Sequence, residues 1–314
     1  MELRHLRYFV AIAEEGSVTR AAHRLGLQQP PLSQQLRALE EEIGVPLFDR
    51  EPRRVTLNEA GRLFLRSARA ILAEAGEAVE QVRRFHRGEE GQVAIGFTSS
   101  ASLHPLAPRL IRGFRERFPL VRFAVEESET YALLLALEQR RIDVALLRIP
   151  VPGAAALASH TLASDGLMAA LPRAHPLAAR EGDLPLAALA GEPFVLYRRT
   201  DGPGIYDALL GGLQRAGFRP RVVDEVSRII AAINLVAAGR GVTIVPASMQ
   251  VLHRESVVYR PLAPGPLPPL PLNLVHRRDN PSPAVANFVE AAMAVAGTEG
   301  RASPPGRNAE QPVP

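Results

Sequence analysis

Apolar residues recur at helical spacing in two short, adjacent segments near the amino terminus of the chain. Each set would lie along one face of a helix, so both segments are predicted to be amphipathic helices. The first set is Val18, Ala21, Ala22 and Leu25, and the second is Leu32, Leu36, Leu39 and Ile43. Ser17 can cap the first helix, and Gly26 permits a sharp turn between the two. The pattern predicts a helix-turn-helix, a unit that can present one helix to a DNA major groove.

The polar side chains left outside this apolar pattern are suited to nucleic acid. The second helix is predicted to open at Gln29, Pro30 and Pro31, where proline is tolerated because the first N–H groups of a helix have no partner. Donors and acceptors at a helix N-terminus can contact base edges and phosphates. The outward set is Gln28, Gln29, Ser33, Gln34 and Arg37. A solvated face of an ordinary helical hairpin is the alternative, since this shape also occurs outside DNA-binding proteins.

Residues 47–57 read as two short strands around a tip rich in arginine and proline. Such a wing can reach phosphates or the minor groove, and Arg50, Arg53 and Arg54 are the candidate contacts. Upstream, apolar residues over 3–13 predict a further amphipathic helix that completes a small core. Together these segments predict a winged helix-turn-helix DNA-binding domain over residues 1–57.

A long apolar stripe follows, from Asn58 to Arg87. Thr56 and Glu59 have the spacing of a capping box, so one helix of about 45 Å is expected to begin there. A helix of that length needs a partner to cover its stripe. We expect residues 58–87 to dimerise with a second copy, which would place two DNA-reading helices about 34 Å apart. Packing onto the body of the same chain is the alternative.

Beyond a predicted hinge at residues 88–91, strands and helices alternate. The order predicts parallel sheets covered by helices. These elements form an α/β domain over residues 88–296, which we expect to divide into two lobes with a cleft between them. We expect lobe I at about 91–162 and 268–296, lobe II at about 163–267, and a disordered tail at 297–314. Strands are predicted at 92–97, 121–125, 143–147, 167–171, 194–197, 221–223, 242–245 and 272–276. Helices are predicted at 103–118, 131–140, 205–216, 229–238 and 284–295.

Polar residues cluster where predicted strands of this domain end and helices begin. Open parallel sheets bind ligands beyond the carboxyl ends of their strands, and hydroxyls, free N–H groups and arginines suit a carboxylate. The sequence therefore predicts a site for a small organic anion. The candidate residues are Ser99, Ser100, Ser102, Thr130, Arg148, Arg199 and Thr200. For each residue taken singly, a helix cap or a surface charge is the alternative.

Composition constrains the class of protein more than it identifies a function. The net charge of +4 at pH 7 is no DNA-binding signal by itself, because residues 1–90 contain fourteen arginines and fourteen acidic residues. The chain has no cysteine, which excludes disulfides and thiolate metal sites. No stretch approaches ~18 uninterrupted apolar residues, and MELRHLRYF has no apolar signal core. We therefore expect a cytoplasmic protein without a membrane partner.

The opening MELRHLRYFVAIAEEGSVTRAAHRLGLQQPPLSQQLRALEEEIGVPLFDR resembles the N-terminal module of LysR-type transcriptional regulators. The resemblance continues through VTLNEAGRLFL to about residue 295, and it extends to the regulators of benzoate and catechol breakdown that respond to muconate. It implies a winged helix-turn-helix, a dimerising linker helix and a two-lobed effector-binding domain of the type 2 periplasmic-binding-protein kind. The family's DNA contacts fall on Gln29, Pro30, Pro31, Ser33 and Gln34. Position 34 is often arginine in close relatives, so the operator sequence does not carry over.

The same resemblance implies a set of partners. These are double-stranded DNA carrying an imperfect inverted repeat, a small organic acid effector, further copies of the chain in a dimer or tetramer, and RNA polymerase if the protein activates transcription. Ser99 or Ser100, Thr130 and Arg148 fall on positions that contact the effector in the muconate-responsive relatives. The loop at 198–203 departs from theirs by carrying two arginines. The identity of the effector therefore does not carry over.

Three other functions are open to a chain of this kind. An enzyme would need reactive groups, but the sequence has no GxSxG, HExxH, Walker or Rossmann fingerprint, so we expect no catalytic residue, metal or cofactor. A solute-binding protein on the same α/β fold would be exported, and that role leaves residues 1–57 unexplained. An architectural DNA-binding protein would need no cleft, and its DNA footprint would ignore every small molecule.

Overall fold

The structure, a computed structural model, describes residues 1–51, 54–148, 155–197 and 205–299; for residues 50, 51, 54, 205 and 297–299 it describes the backbone alone. The chain divides into two compact units, Met1–Arg84 and Phe85–Pro314. In the described parts of the chain, no helix combines the length and the apolar character that crossing a membrane requires.

The first unit is built from helices with one small hairpin. Its elements are α1 (Leu3–Glu15), α2 (Val18–Leu25), α3 (Gln29–Ile43), β1 (Phe48–Glu51), β2 (Arg54–Leu57) and α4 (Glu59–His86), whose last residues enter the second unit. Phe9 of α1 is fully buried, and its ring lies 5.3 Å from that of Phe48 and 5.0 Å from that of Phe64. These ring contacts hold α1 against both β1 and the start of α4.

The turn between α2 and α3 follows the sequence prediction. The Ser17 hydroxyl accepts a hydrogen bond from the backbone N–H of Arg20, which caps α2. Gly26 ends α2 with φ of 68°, a left-handed conformation that glycine adopts without a Cβ penalty. Pro30 and Pro31 stand in the first turn of α3, where no backbone hydrogen bond is lost. The predicted helix-turn-helix is confirmed.

The start of α4 differs from the prediction in its cap. Thr56 lies in β2 and does not form a capping box with Glu59. Instead the Asn58 side-chain oxygen accepts from the backbone N–H of Gly61 at 2.8 Å, and the Asn58 amide donates to the Pro46 carbonyl. Asparagine is among the best N-cap residues, because its oxygen satisfies an N–H that has no helical acceptor. The helix therefore begins where Asn58 caps it.

The second unit alternates strands and helices. Its strands are β3 (Glu90–Phe97), β4 (Leu120–Glu127), β5 (Val144–Leu147), β6 (Leu157–Asp165), β7 (Leu167–Pro172), β8 (Pro193–Tyr197), β9 (Arg221–Val226), β10 (Thr243–Pro246), β11 (Val257–Pro261) and β12 (Leu270–Arg277). Its helices are α5 (Ser99–Ser102), α6 (Leu106–Arg117), α7 (Thr130–Glu138), α8 (Ile205–Arg215), α9 (Ile229–Ala237) and α10 (Pro283–Glu299).

The strands form two lobes, and the chain passes from lobe I to lobe II and later returns to lobe I. In lobe I, one sheet has the order β4-β3-β5-β12-β6, and in lobe II a sheet of order β10-β7-β11 lies with the pair β8-β9. The predicted parallel arrangement is confirmed for β3, β4 and β5, but β12 is antiparallel to β5 and β6, and in lobe II β7 is antiparallel to β10 and β11. The returning strand enters from the opposite direction, because it comes back from lobe II.

Three other local predictions are corrected. Strands β6 and β11 were missed, since neither LASHTLASD nor VVYRP has the strict apolar alternation that predicts a strand. The helix predicted at 103–118 is confirmed as α6 but begins only after Pro105, and the short helix α5, which ends at Ser102, was not predicted. Proline cannot donate a backbone hydrogen bond, so it stands at the start of α6 and not inside it.

Residues 88–91, predicted as a hinge, are held in place within the second unit. Gly88 is buried with φ of 69°, and a Cβ there would come within 2.6 Å of the Pro283 carbonyl. The Asn287 amide donates to the carbonyl of Arg87 at 2.9 Å. Gly91 already lies in β3. The segment is thus a tight turn packed against α10.

Candidate functional site

The N-terminal half of α3 presents a polar face to solvent. Leu32, Leu36 and Leu39 are buried on the inner side of the helix. On the outer side, Gln28, Gln29, Pro30, Pro31, Gln34 and Arg37 are exposed and Ser33 is half-buried. Gln28 is the N-cap but makes no side-chain cap hydrogen bond. Pro30 and Pro31 carry no N–H, so this helix N-terminus offers few backbone donors, and the polar side chains of the outer face supply most of the groups that suit a phosphate.

Thr19 was not predicted to belong to this surface. Its hydroxyl, on the first turn of α2, donates to the Gln29 side-chain oxygen at 3.1 Å. This contact orients the Gln29 side chain and leaves its amide nitrogen able to donate to a base or phosphate. The signal in the sequence was a hydroxyl residue two positions after the Ser17 cap. The contact ties the two helices of the motif together at the proposed DNA surface.

The wing is present as an antiparallel hairpin in which Glu51 of β1 lies opposite Arg54 of β2. Arg53 lies outside the described residues, and Arg50 and Arg54 are described by their strand positions only. The assignment of these three arginines to DNA contact therefore stays a prediction.

Some arginines of the first unit are engaged within the fold. Glu14 of α1 receives hydrogen bonds from Arg69 of α4 at 2.7 Å and from Arg24 of α2 at 2.9 Å. These two hydrogen bonds hold the pKa of the Glu14 carboxyl below its usual range. The positions of the arginines, and not the net charge of the unit, therefore decide which of them can contact a DNA phosphate backbone.

A small polar cleft that is open to solvent lies between the two lobes of the second unit. Lobe I contributes Ser99, Ser100, Ser128 and Glu129, and lobe II contributes Tyr197, Tyr206, Ser227, Arg228 and Ile229. Glu129 and Arg228 are the N-cap residues of α7 and α9, and neither makes a side-chain cap hydrogen bond. Two helix N-termini without side-chain caps thus meet at one polar cleft, which favours a negatively charged ligand.

A hydrogen-bond network joins the lobes beside this cleft. The Ser99 hydroxyl donates to the Glu127 carboxylate at 2.6 Å, and the Arg228 guanidinium donates to the same oxygen at 3.4 Å. Glu127 ends β4 in lobe I, whereas Arg228 opens α9 in lobe II. The side chains of Arg228 and Glu127 are 52% and 47% exposed, so both remain within reach of a ligand in solution.

The structure brings only part of the predicted anion site together. Ser99 and Ser100 line the cleft. The Ser102 hydroxyl instead donates to the Ser99 carbonyl at 2.9 Å, and Thr130 is buried at the start of α7 without lining the cleft. Arg199 and Thr200, with the loop at 198–203, lie outside the described residues. Effector contact by these residues stays a prediction.

Arg148 lies beneath the cleft and ties elements of both lobes together. Its side chain is 1% exposed, and the two hydrogens of its Nη2 are shared among three acceptors: the Asp165 carboxylate at 2.8 Å, the Ser248 hydroxyl at 2.7 Å and the Ser100 carbonyl at 3.1 Å. Its Nε and Nη1 have no partner among the described residues. Burial lowers the pKa of this guanidinium, and Asp165 opposes that shift.

Sequence reasoning missed most of the cleft. Ser128, Glu129, Tyr197, Tyr206, Ser227, Arg228 and Ile229 line it without having been predicted. Ser128 and Ser227 follow the observed ends of β4 and β9, whereas the predicted strands ended at 125 and 223, too early for the strand-end rule to point to them. Tyr206 follows the undescribed loop and carried no such signal.

Comparison with known proteins supports two functional regions in the chain. Residues 3–62 match the family described as "Bacterial regulatory helix-turn-helix protein, lysR family". Residues 86–297 match the family described as "LysR substrate binding domain". Together the two matches cover most of the residues that the structure describes.

Individual relatives agree over nearly the whole chain. The "HTH-type transcriptional regulator AlsR" of Bacillus subtilis is 37% identical over 92% of this chain and 94% of its own length. The "HTH-type transcriptional regulator BenM" of Acinetobacter baylyi is 34% identical over 97% of this chain and 99% of its own. The crystal structure of full-length CbnR complexed with its target DNA has a TM-score of 0.81 at 29% identity, covering 94% of this chain and 100% of that one. The relatives named here are regulators, not enzymes.

Proposed function

This chain belongs to the LysR family of bacterial transcriptional regulators, and from that membership we propose that its operator binding is adjusted by a small organic acid held between lobes I and II. The observation that carries the proposal is the polar cleft between the lobes, lined by Arg228 and by the N-termini of α7 and α9. An acid carboxylate matches these groups in charge and hydrogen bonding. Similarity to BenM, the resemblance to regulators of aromatic breakdown and the polar lining support an organic acid as the class of effector.

In the proposed division of labour, residues 1–57 bind DNA, residues 58–87 join two copies and residues 88–296 sense the acid. The α3 face enters the major groove, where Gln29 and Gln34 contact base edges and the wing arginines contact phosphates. Exposed apolar residues along one side of α4 support self-association; they are Leu63, Ile71, Val79, Val82 and Phe85. Two copies then read an imperfect inverted repeat, a pair of dimers forms a tetramer, and an activating form contacts RNA polymerase.

The test is DNA footprinting of the full chain on the intergenic DNA beside its own gene. We expect a footprint over an imperfect inverted repeat that shortens or shifts when an effective acid is added, with acetate, benzoate and cis,cis-muconate as probes. Arg228→Ala keeps the footprint and loses its response, because α3 is unchanged while the cleft has lost its cation. A footprint that ignores every acid supports the architectural alternative instead.

A further inference from the structure

We propose that Glu127 is a built-in competitor of the effector: its carboxylate occupies the Ser99 hydroxyl and the Arg228 guanidinium that the effector's carboxylate needs, and the effector displaces it. This inference rests on the proposed function of the cleft. Ser99 and Arg228 both line the cleft, whereas Glu127 reaches them from the end of β4. The Glu127 carboxylate is therefore an anion, attached to the chain, that binds the two groups proposed to bind the effector.

The charges around the cleft support this role. Within the described residues, the contact with Glu127 is the ion pair that Arg228 makes. Arg228 is also the N-cap of α9 and makes no side-chain cap, so the N-terminus of that helix adds positive potential at the cleft. Arginine and a hydroxyl are donors that recognise any carboxylate, whether from the chain or from a ligand. Glu127 and an effector acid thus present the same chemistry to the same two groups.

The strength of the contact suits displacement. The Arg228 contact of 3.4 Å is long for a hydrogen bond, and both side chains are about half exposed. Exposed ion pairs of this kind are weak, so a free acid can compete with the tethered one. Because Glu127 and Arg228 belong to different lobes, displacement also removes a contact between the lobes. Binding is thereby coupled to the relative position of the two lobes.

The first test compares Glu127→Gln with the wild-type chain by calorimetry, using acetate, benzoate and cis,cis-muconate. Removing the competing charge is expected to tighten binding of each acid about three- to tenfold. Glu126→Gln is the matched control, because Glu126 pairs with Arg141 at 3.5 Å within lobe I and has a similar exposure of 39%. The control should bind like wild type. Arg228→Ala should weaken binding, since it removes the shared cation.

Two outcomes separate this inference from the proposed function. If wild type binds an acid and Glu127→Gln binds it equally or more weakly, the competitor role is overturned while the proposed function stands. If wild type, Glu127→Gln and Arg228→Ala all bind none of the three acids, the proposed function is contradicted and the competitor role falls with it.

A second measurement needs no ligand. Amide hydrogen exchange of the free full chain should become faster at residues 227–232 in Glu127→Gln, because the tie to Arg228 is lost. These amides lie about one hundred residues from the substitution in sequence, so a local effect on β4 does not reach them. Glu126→Gln should leave their exchange unchanged. If amide exchange at residues 227–232 is unchanged in Glu127→Gln, the inference is overturned, whatever the result of the calorimetric binding measurements.

Discussion

Single buried residues contribute strongly to the stability of the second unit. Arg148 and Asp165 are 1% and 7% exposed, and their pairing holds the end of β5 to the end of β6. A buried charge without its partner is costly, whereas the same loss at the surface matters little. The residue at position 148, predicted to bind a ligand, thus has a structural role that its sequence position did not reveal.

Arg148→Met should destabilise the protein by about 3 kcal/mol, because it leaves the Asp165 carboxylate buried without a cation. Arg240→Met is the control, since Arg240 is exposed and its pair with Asp224 should contribute little to stability. Calorimetric unfolding of the full chain measures both. Adding Asp165→Asn to Arg148→Met should restore part of the loss. Equal unfolding temperatures for Arg148→Met and Arg240→Met would contradict the prediction.

A second residue-scale prediction concerns pH. Burial lowers the pKa of His276 below its ordinary value near 6.5, and the neighbouring His160, Arg278 and Arg277 add to the shift. The His276 Nδ1–H donates to the Arg277 carbonyl, which leaves its Nε2 to accept from His160 at 3.2 Å. Protonating His276 would lose that acceptor. A lowered pKa means that the unfolded chain takes up the proton first, so the contribution to stability is present above pH 6.5 and is lost as the pH falls below it.

The measurement is the unfolding temperature between pH 7.5 and 5.5. We expect it to decline on acidification, and His276→Gln should show a smaller decline than wild type because its side chain does not titrate. His23→Gln, at an exposed position of α2, serves as the control and should decline as wild type does. An unaltered decline in His276→Gln would refute the assignment.

Among the elements, α4 and α3 carry the proposed assembly and DNA contact. Both were predicted to be amphipathic helices from the spacing of their apolar residues, which is a property of neighbouring positions in the sequence. That spacing does not identify the surface that covers the apolar face. In the first unit Ala68 of α4 is buried in the core, while Val82 near the other end of the helix is 68% exposed.

Val82→Glu should weaken self-association about 100-fold, because an unpaired carboxylate buried between two helices costs roughly 3 kcal/mol. Ala73→Glu adds the same charge at an exposed position on the opposite face of α4, nine residues before Val82, and should leave association intact. Sedimentation velocity across a concentration series measures both variants. If the two associate equally well, α4 is not the interface.

For DNA contact, α3 and the wing should respond differently to substitution. Gln34→Ala should relax sequence preference, because it removes a group proposed to contact a base edge. Arg53→Ala should weaken binding similarly on all sequences and reduce the salt dependence of log K by about one unit, since it removes a phosphate contact. Fluorescence anisotropy with an operator and scrambled duplex at several salt concentrations distinguishes them. Identical behaviour would mean that these roles are assigned wrongly.

For the whole molecule, the proposed function requires that acid and operator influence each other equally. If an acid changes operator affinity by some factor, then operator DNA must change acid affinity by the same factor. We expect a factor of roughly five to one hundred. Anisotropy of operator DNA with and without acid gives one value, and calorimetry of the acid with and without operator gives the other. A factor of one in both would contradict regulation by that acid.

The sequence by itself determined what depends on near neighbours in the chain. The caps at Ser17 and Gly26, the period of α3 and the length of α4 all follow from residues within a few positions of each other. A helix closes its hydrogen bonds within four residues, so its signal is local. The family resemblance rests on the same contiguous segments.

Tertiary structure alone decided the sheet order and the composition of the cleft. Strand β12 runs antiparallel because it returns from lobe II, and Glu127 meets Arg228 although 101 positions separate them in the sequence. Arg148 likewise meets Asp165 and Ser248 from three separate segments. Such contacts depend on strand register and on the path of the chain between lobes. No local pattern encodes them, because each partner is chosen by the packing of the whole unit.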